Sequence, residues 1–398
     1  MRTKLAMILL ALSATPCLAQ GTGGSKGVSP SIWEPEMGES SPLRRQPGAP
    51  APLAKLQTLS GGTVLRVDAR GIEKTANSVR ASAKGLGTVI AAFERINSRH
   101  AAGLVLPLEL EIRFLAFTGF EGGWMSGTGY GLPATVYDDA LKRLTLGEVL
   151  ATRAGETQTP ALTLGASLHE YGHALFAANA YTRIPELVQL GEMLRQKGSY
   201  LKRLEAKRTL TQDGLLCMDN IDELKKVLQD KALDASQAGS DACEEWARTT
   251  ALLRALQRAI EEHPGYRYLD PYEELFADLV AVIGTSELDP IGDALGITGM
   301  DRVGDYLEKI SRRSFASCPD LRTIPAHDDH GYFSGARCAL GELLRAQRNA
   351  VGLHDFLGRA LDAIAVDLVD SIRASRARDP VADNERLIQG LRRAIARQ

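Results

Sequence analysis

Aromatic side chains make up only 6% of this 398-residue chain, histidine occurs seven times and cysteine five. Charge of neither sign dominates, with 47 Lys and Arg against 49 Asp and Glu. That balance gives no electrostatic reason to expect binding to nucleic acid or to a membrane surface. No CxxC pair is present, which argues against a cysteine-held zinc module. Nowhere does an apolar run approach the roughly 18 consecutive residues that a transmembrane helix needs. The 38 Gly and 17 Pro follow no period, so collagen-like and low-complexity architectures are out. What remains is a chain with 44% hydrophobic residues, too apolar for disorder and long enough for two or three packed layers.

The first residues combine a basic head (Arg2, Lys4), an apolar stretch over residues 5–12, and small residues up to Ala19. This pattern predicts a secretory signal peptide cleaved near Ala19, and hence a secreted or periplasmic protein. Cleavage there removes Cys17 and leaves four cysteines. In an oxidising compartment these can pair, and local closure favours Cys217–Cys243 and Cys318–Cys338. Residues 20–55 are rich in Gly, Ser and Pro and read as a flexible leader.

Globular patterning begins near Leu56. Alternation predicts strands over residues 63–67, 108–114 and 141–146, and helical spacing predicts a helix over residues 76–96. Residues 119–131 mix glycines with Phe120, Trp124 and Tyr130, and read as bends and turns. After Leu162 the pattern is mainly helical to the end of the chain.

His169-Glu170-Tyr171-Gly172-His173 carries the chemistry. On a helix, residues four apart share a face, so both imidazoles can point at one metal ion. Glu170 lies one step round, where it can take a proton from an attacking water rather than ligate. Small and apolar neighbours (Ala166, Leu168, Ala174, Leu175, Ala177) suit a buried helix. A third protein ligand is needed. Phe176 and Asn179 stand where a metzincin needs Gly and His, so that class is excluded.

The segment Pro271-Tyr272-Glu273-Glu274-Leu275-Phe276-Ala277-Asp278 offers the alternative. With it, the chain resembles a zincin metallopeptidase of the gluzincin branch, similar in logic to the thermolysin-like enzymes. The resemblance covers residues 169–173 and 274–278. It implies an α+β zincin-like fold, with a small N-terminal sheet, long helices, a mainly helical C-terminal lobe and a cleft between. It also implies a Zn2+ ion held by His169, His173 and Glu274, with Asp278 accepting a hydrogen bond from a ligand imidazole. Glu273 stays open as the third ligand, followed by Glu186, Glu244, Glu245, Glu261 and Glu262; Asp278 or Asp289 are aspartate options. For the donor to the developing oxyanion, the resemblance points to His330 and Tyr332, with His327 behind them. Arg337 is a further candidate, although an arginine on a helix surface is common.

The expected organisation is a signal peptide (1–19), a leader (20–55), an N-terminal α+β lobe (56–183), a helical insert (184–264) and a helical C-terminal lobe (265–398). The expected function is hydrolysis of peptide bonds in peptide or protein substrates, with no nucleic-acid partner. The alternative is an inactive zincin-like protein that binds a partner through the same cleft.

Overall fold

Leu110 and Ile112 alternate with Glu109 and Glu111, and in the computed structural model this stretch becomes the middle strand of the protein's one described sheet. The structure describes residues 55–68, 76–117, 136–149, 164–210, 237–291, 312–347 and 353–395. The expected signal peptide, the leader up to residue 54, the aromatic-glycine stretch 119–131, residues 211–236 of the insert and the Cys217–Cys243 pairing lie outside the described residues.

Among the described residues there are five strands: β1 (Lys55–Thr58), β2 (Val64–Asp68), β3 (Glu109–Phe117), β4 (Val136–Asp138) and β5 (Arg143–Val149). Their order is β1-β2-β3-β5-β4. The β2–β3 and β3–β5 pairs are parallel, with Leu65 opposite Leu110 and Ile112 opposite Leu144; both edge pairs are antiparallel. The side chains of Leu65, Val67, Leu110, Ile112, Leu144 and Leu146 are buried. A parallel pair needs a crossover. Between β2 and β3 it is helix α1 (Ala76–Arg99), which sends Val89, Phe93 and Ile96 into the core. The expected strands and helix are all present, with ends shifted by a few residues.

The other described helices are α2 (Leu164–Arg183), α3 (Pro185–Leu210), α4 (Gln237–Glu262), α5 (Tyr266–Thr285), α6 (Ser334–Gln347), α7 (Phe356–Arg373) and α8 (Pro380–Ile395). Both α3 and α8 open on proline, whose missing N–H costs nothing in the first turn. Ser286, in the left-handed conformation, ends α5 by donating its N–H to the Val282 carbonyl at 2.8 Å. Thus the protein is mainly helical with a small mixed sheet, an α+β composition. None of the described helices is long and apolar enough to cross a membrane.

Two helices are buried nearly all round, as helices without a polar stripe must be. In α5 every residue from Pro271 to Val282 is buried, and α2 buries most of its length including both histidines. They pack on each other, and Gly172 sets how closely. A Cβ there would come within 2.6 Å of the Ala277 Cα, so only glycine permits this approach. Side chains outside the pair fix its position. Tyr171 stacks on Phe93 with ring centres 4.2 Å apart and donates its hydroxyl to Asn97 at 2.5 Å, tying α2 to α1. Tyr272 donates to Asp367 at 2.6 Å, tying α5 to α7.

Candidate metal centre

Helical spacing puts His169 and His173 one turn apart on α2, and both are buried. Their Nε2 atoms are 2.9 Å apart. Across the gap, α5 presents Glu274, with Oε2 3.4 Å from Nε2 of His169 and Oε1 3.8 Å from Nε2 of His173. One carboxylate therefore faces both imidazoles. Ligand atoms about 2.0–2.1 Å from a tetrahedral zinc ion lie ~3.3 Å from one another, and these three separations bracket that value.

The outer nitrogens are occupied as well. Nδ1 of His169 is 2.9 Å from Oδ1 of Asp278, and Nδ1 of His173 is 2.8 Å from Oε1 of Glu273. In the tautomer that donates Nδ1–H to these carboxylates, each Nε2 carries a lone pair facing the other and Glu274, and Nη2 of Arg313 lies 3.3 Å from that of His169. A cation relieves such crowding of acceptors, and the Arg313 guanidinium lies against them, 3.4 Å from Glu274 as well.

Glu170, partly buried beside the histidines, has a ligand atom within 4.8 Å of one on each of them. Its Oε2 accepts the backbone N–H of Tyr137, on edge strand β4, at 2.7 Å. The sheet edge thereby orients the carboxylate next to the histidine pair. Nothing in the sequence around residue 137 announces this contact.

Buried carboxylates are tolerated only when paired. Asp278, 1% exposed, meets two guanidiniums: Nη2 of Arg313 lies 2.6 Å from Oδ1, while Nη2 and Nε of Arg337 lie 2.7 and 2.8 Å from Oδ2. Arg337 is wholly buried, not a surface residue. Arg313 also reaches Glu274 at 3.4 Å and was not singled out by the sequence. It sits 35 residues from Asp278 with no local pattern to mark it. The one available signal was the need of a buried aspartate for a cation, which does not say where the cation comes from.

Burial works against each of these charges, and their neighbours outweigh it. At Asp278, burial pushes the carboxyl up, but Arg313 and Arg337 hold it far below the usual range. The same holds for Glu274, where His330, His169 and His173 overcome burial. Burial lowers the His173 imidazole, yet Glu273, with Glu274 and Glu170, pushes it up to about 10. Arg337 is the exception: burial and the nearby Arg313 lower its guanidinium despite Asp278. Four carboxylates (Glu170, Glu273, Glu274, Asp278) stand against two guanidiniums (Arg313, Arg337). A protonated His173 offsets part of this excess of negative charge, and a divalent cation would take over that role.

Family models, curated proteins and solved structures were compared with the chain, and none matches.

Of the candidates for the third ligand, Glu274 faces both Nε2 atoms, whereas Glu273 stands behind His173. Glu186 pairs instead with Arg373 on α7. His330 and Tyr332 part company. The half-exposed His330 has Nε2 3.4 Å from Oε1 of Glu274, at the rim of the centre. Tyr332 is buried and donates its hydroxyl to Asp383 of α8 at 2.5 Å, with Arg378 over its ring. Its hydroxyl is thus committed away from the histidine pair, to a carboxylate that Arg386 and the Asp379 N–H also hold. His327 is exposed, with no partner among the described residues. Cys318 and Cys338 lie at disulfide distance, Cα atoms 5.1 Å apart, so the expected pairing brackets the His330 segment.

Proposed function

We propose that this chain is a zinc-dependent hydrolase of peptide bonds, of the gluzincin type that its motifs resemble. The observation that carries this is the trio of His169, His173 and Glu274, with acceptor atoms converging at 2.9, 3.4 and 3.8 Å and both outer imidazole nitrogens held by carboxylates. His169, His173 and Glu274 would hold the ion. When bound, zinc supplies a Lewis acid that polarises a carbonyl and makes water acidic near neutral pH.

The remaining work falls to the chain's own side chains. Glu170 has one oxygen fixed by the Tyr137 amide. Its other oxygen is available to take a proton from the attacking water and return it to the leaving nitrogen. His330, at the rim beside Glu274, is the side chain best placed to donate to the charge that develops on the carbonyl oxygen. Asp278 and its two arginines hold His169 in the tautomer that leaves Nε2 unprotonated. The expected secretion belongs to the same proposal and is checked by sequencing the N-terminus of the mature protein, which should begin near Gln20.

The test is zinc content together with turnover of a broad peptide library, for wild type and Glu170→Gln. Loss of a general base should lower turnover by about 10²–10⁴-fold with bound zinc unchanged. Equal turnover in both proteins removes Glu170 from the mechanism and sinks the proposal. A zinc-loaded wild type without any turnover favours the inactive binding protein instead.

A further inference from the structure

The two imidazoles of the centre are backed unequally. Behind His169 stands Asp278, whose Oδ1 is 2.9 Å from Nδ1. That same oxygen receives Nη2 of Arg313 at 2.6 Å, while Arg337 occupies Oδ2 at 2.7 Å. Two guanidiniums thus draw on the carboxylate that supports His169, and little net negative charge is left to it.

Behind His173 stands Glu273, with Oε1 2.8 Å from Nδ1. Glu273 is 7% exposed and makes no other hydrogen bond or ion pair among the described residues. Its one hydrogen-bonded partner among the described residues is His173, although its charge also reaches the buried Tyr137 and Tyr181 hydroxyls. Successive residues on a helix point about 100° apart, so α5 can aim Glu274 at the Nε2 side and Glu273 at the Nδ1 side of one imidazole. A hydrogen-bonded carboxylate fixes the tautomer of a ligating histidine and strengthens it as a donor.

We propose that Glu273 is a positioning residue that makes His173 the stronger imidazole donor, and so sets how tightly the centre keeps its metal. This inference rests on the metal-centre reading above. It concerns retention of the ion, not the hydrolytic step.

Glu273→Gln is the probe, because it keeps the size and an acceptor oxygen while removing the charge. Zinc affinity of the full chain is measured by competition with a chromogenic chelator, and the visible spectrum is recorded with Co2+ in place of zinc. Zinc affinity should fall by about 10–100-fold, and the cobalt bands should shift. Glu273→Asp retains the charge on a shorter arm and should lose less than the glutamine variant, a pattern that a packing role does not produce. Unchanged zinc affinity and an unchanged cobalt spectrum in Glu273→Gln overturn the inference and leave the metal centre standing. A wild-type protein that fails to bind zinc stoichiometrically overturns both.

Discussion

Replacing Gly172 with alanine should force α2 and α5 apart and damage the proposed metal centre. The new Cβ would lie 2.6 Å from the Ala277 Cα, 3.0 Å from the Ala277 oxygen and 3.1 Å from the Val280 Cβ. Carbon atoms in contact prefer about 3.5–4.0 Å, so the backbones must separate by ~1 Å. No flexible side-chain end can absorb this, since the closest atoms belong to the backbone of a fully buried helix. Overpacking of this kind costs about 1–3 kcal/mol, while the better helix propensity of alanine returns about 1 kcal/mol. The net expectation is a loss of up to ~2 kcal/mol in urea unfolding of the metal-free protein. The same displacement acts directly on the 3.4 Å separation between Glu274 and His169. Metal sites tolerate distance errors of only about 0.2 Å, so zinc affinity should fall at least about tenfold in a chelator competition. An alanine variant as stable as wild type, with unchanged zinc affinity, would refute the claim that this glycine sets the helix spacing.

Other expectations follow from the same geometry. Asp278→Asn leaves Arg313 and Arg337 facing a neutral amide in the interior and should cost about 3–5 kcal/mol in urea unfolding. Because the folded-state pKa of Asp278 is depressed, its contribution is complete above about pH 4 and is lost as pH falls below that. The acid limb of a stability–pH curve should therefore be flatter in Asp278→Asn than in wild type. Tyr332→Phe deprives buried Asp383 of a donor and should cost about 1–3 kcal/mol without lowering turnover, whereas His330→Ala should lower turnover. Opening the Cys318–Cys338 bond should cost about 3 kcal/mol, the closure entropy of a loop with sequence separation 20, seen as a lower thermal midpoint. Zinc at about 100 times its dissociation constant should stabilise the folded chain by ~2.7 kcal/mol, and a chelator should reverse the shift.

Much of the centre was legible along the chain because helices convert spacing into direction. His169 with His173, and Glu274 with Asp278, are pairs four residues apart, and each pair presents two side chains on one helix face. The same rule could not separate Glu273 from Glu274, since neighbouring residues on a helix differ only in which way they point. Their assignment depended on how α5 lies against α2. Tyr332 shows the same limit: it stands two residues from His330, yet its hydroxyl bonds to Asp383, 51 residues away in the chain.

From the sequence alone came the aromatic-poor, charge-balanced composition, the alternation that makes the strands, the long buried helices and the motif of His169, Glu170 and His173. These depend on local periodicity and residue chemistry, which a linear chain displays. Tertiary structure decided which carboxylate faces the histidines, which arginines neutralise Asp278, and that the edge strand orients Glu170 through a backbone amide. Those choices depend on distances between segments 33 to 105 residues apart, set by packing such as the close approach at Gly172. Spacing along a chain does not encode such distances, because only burial of both helices in one core brings the groups together.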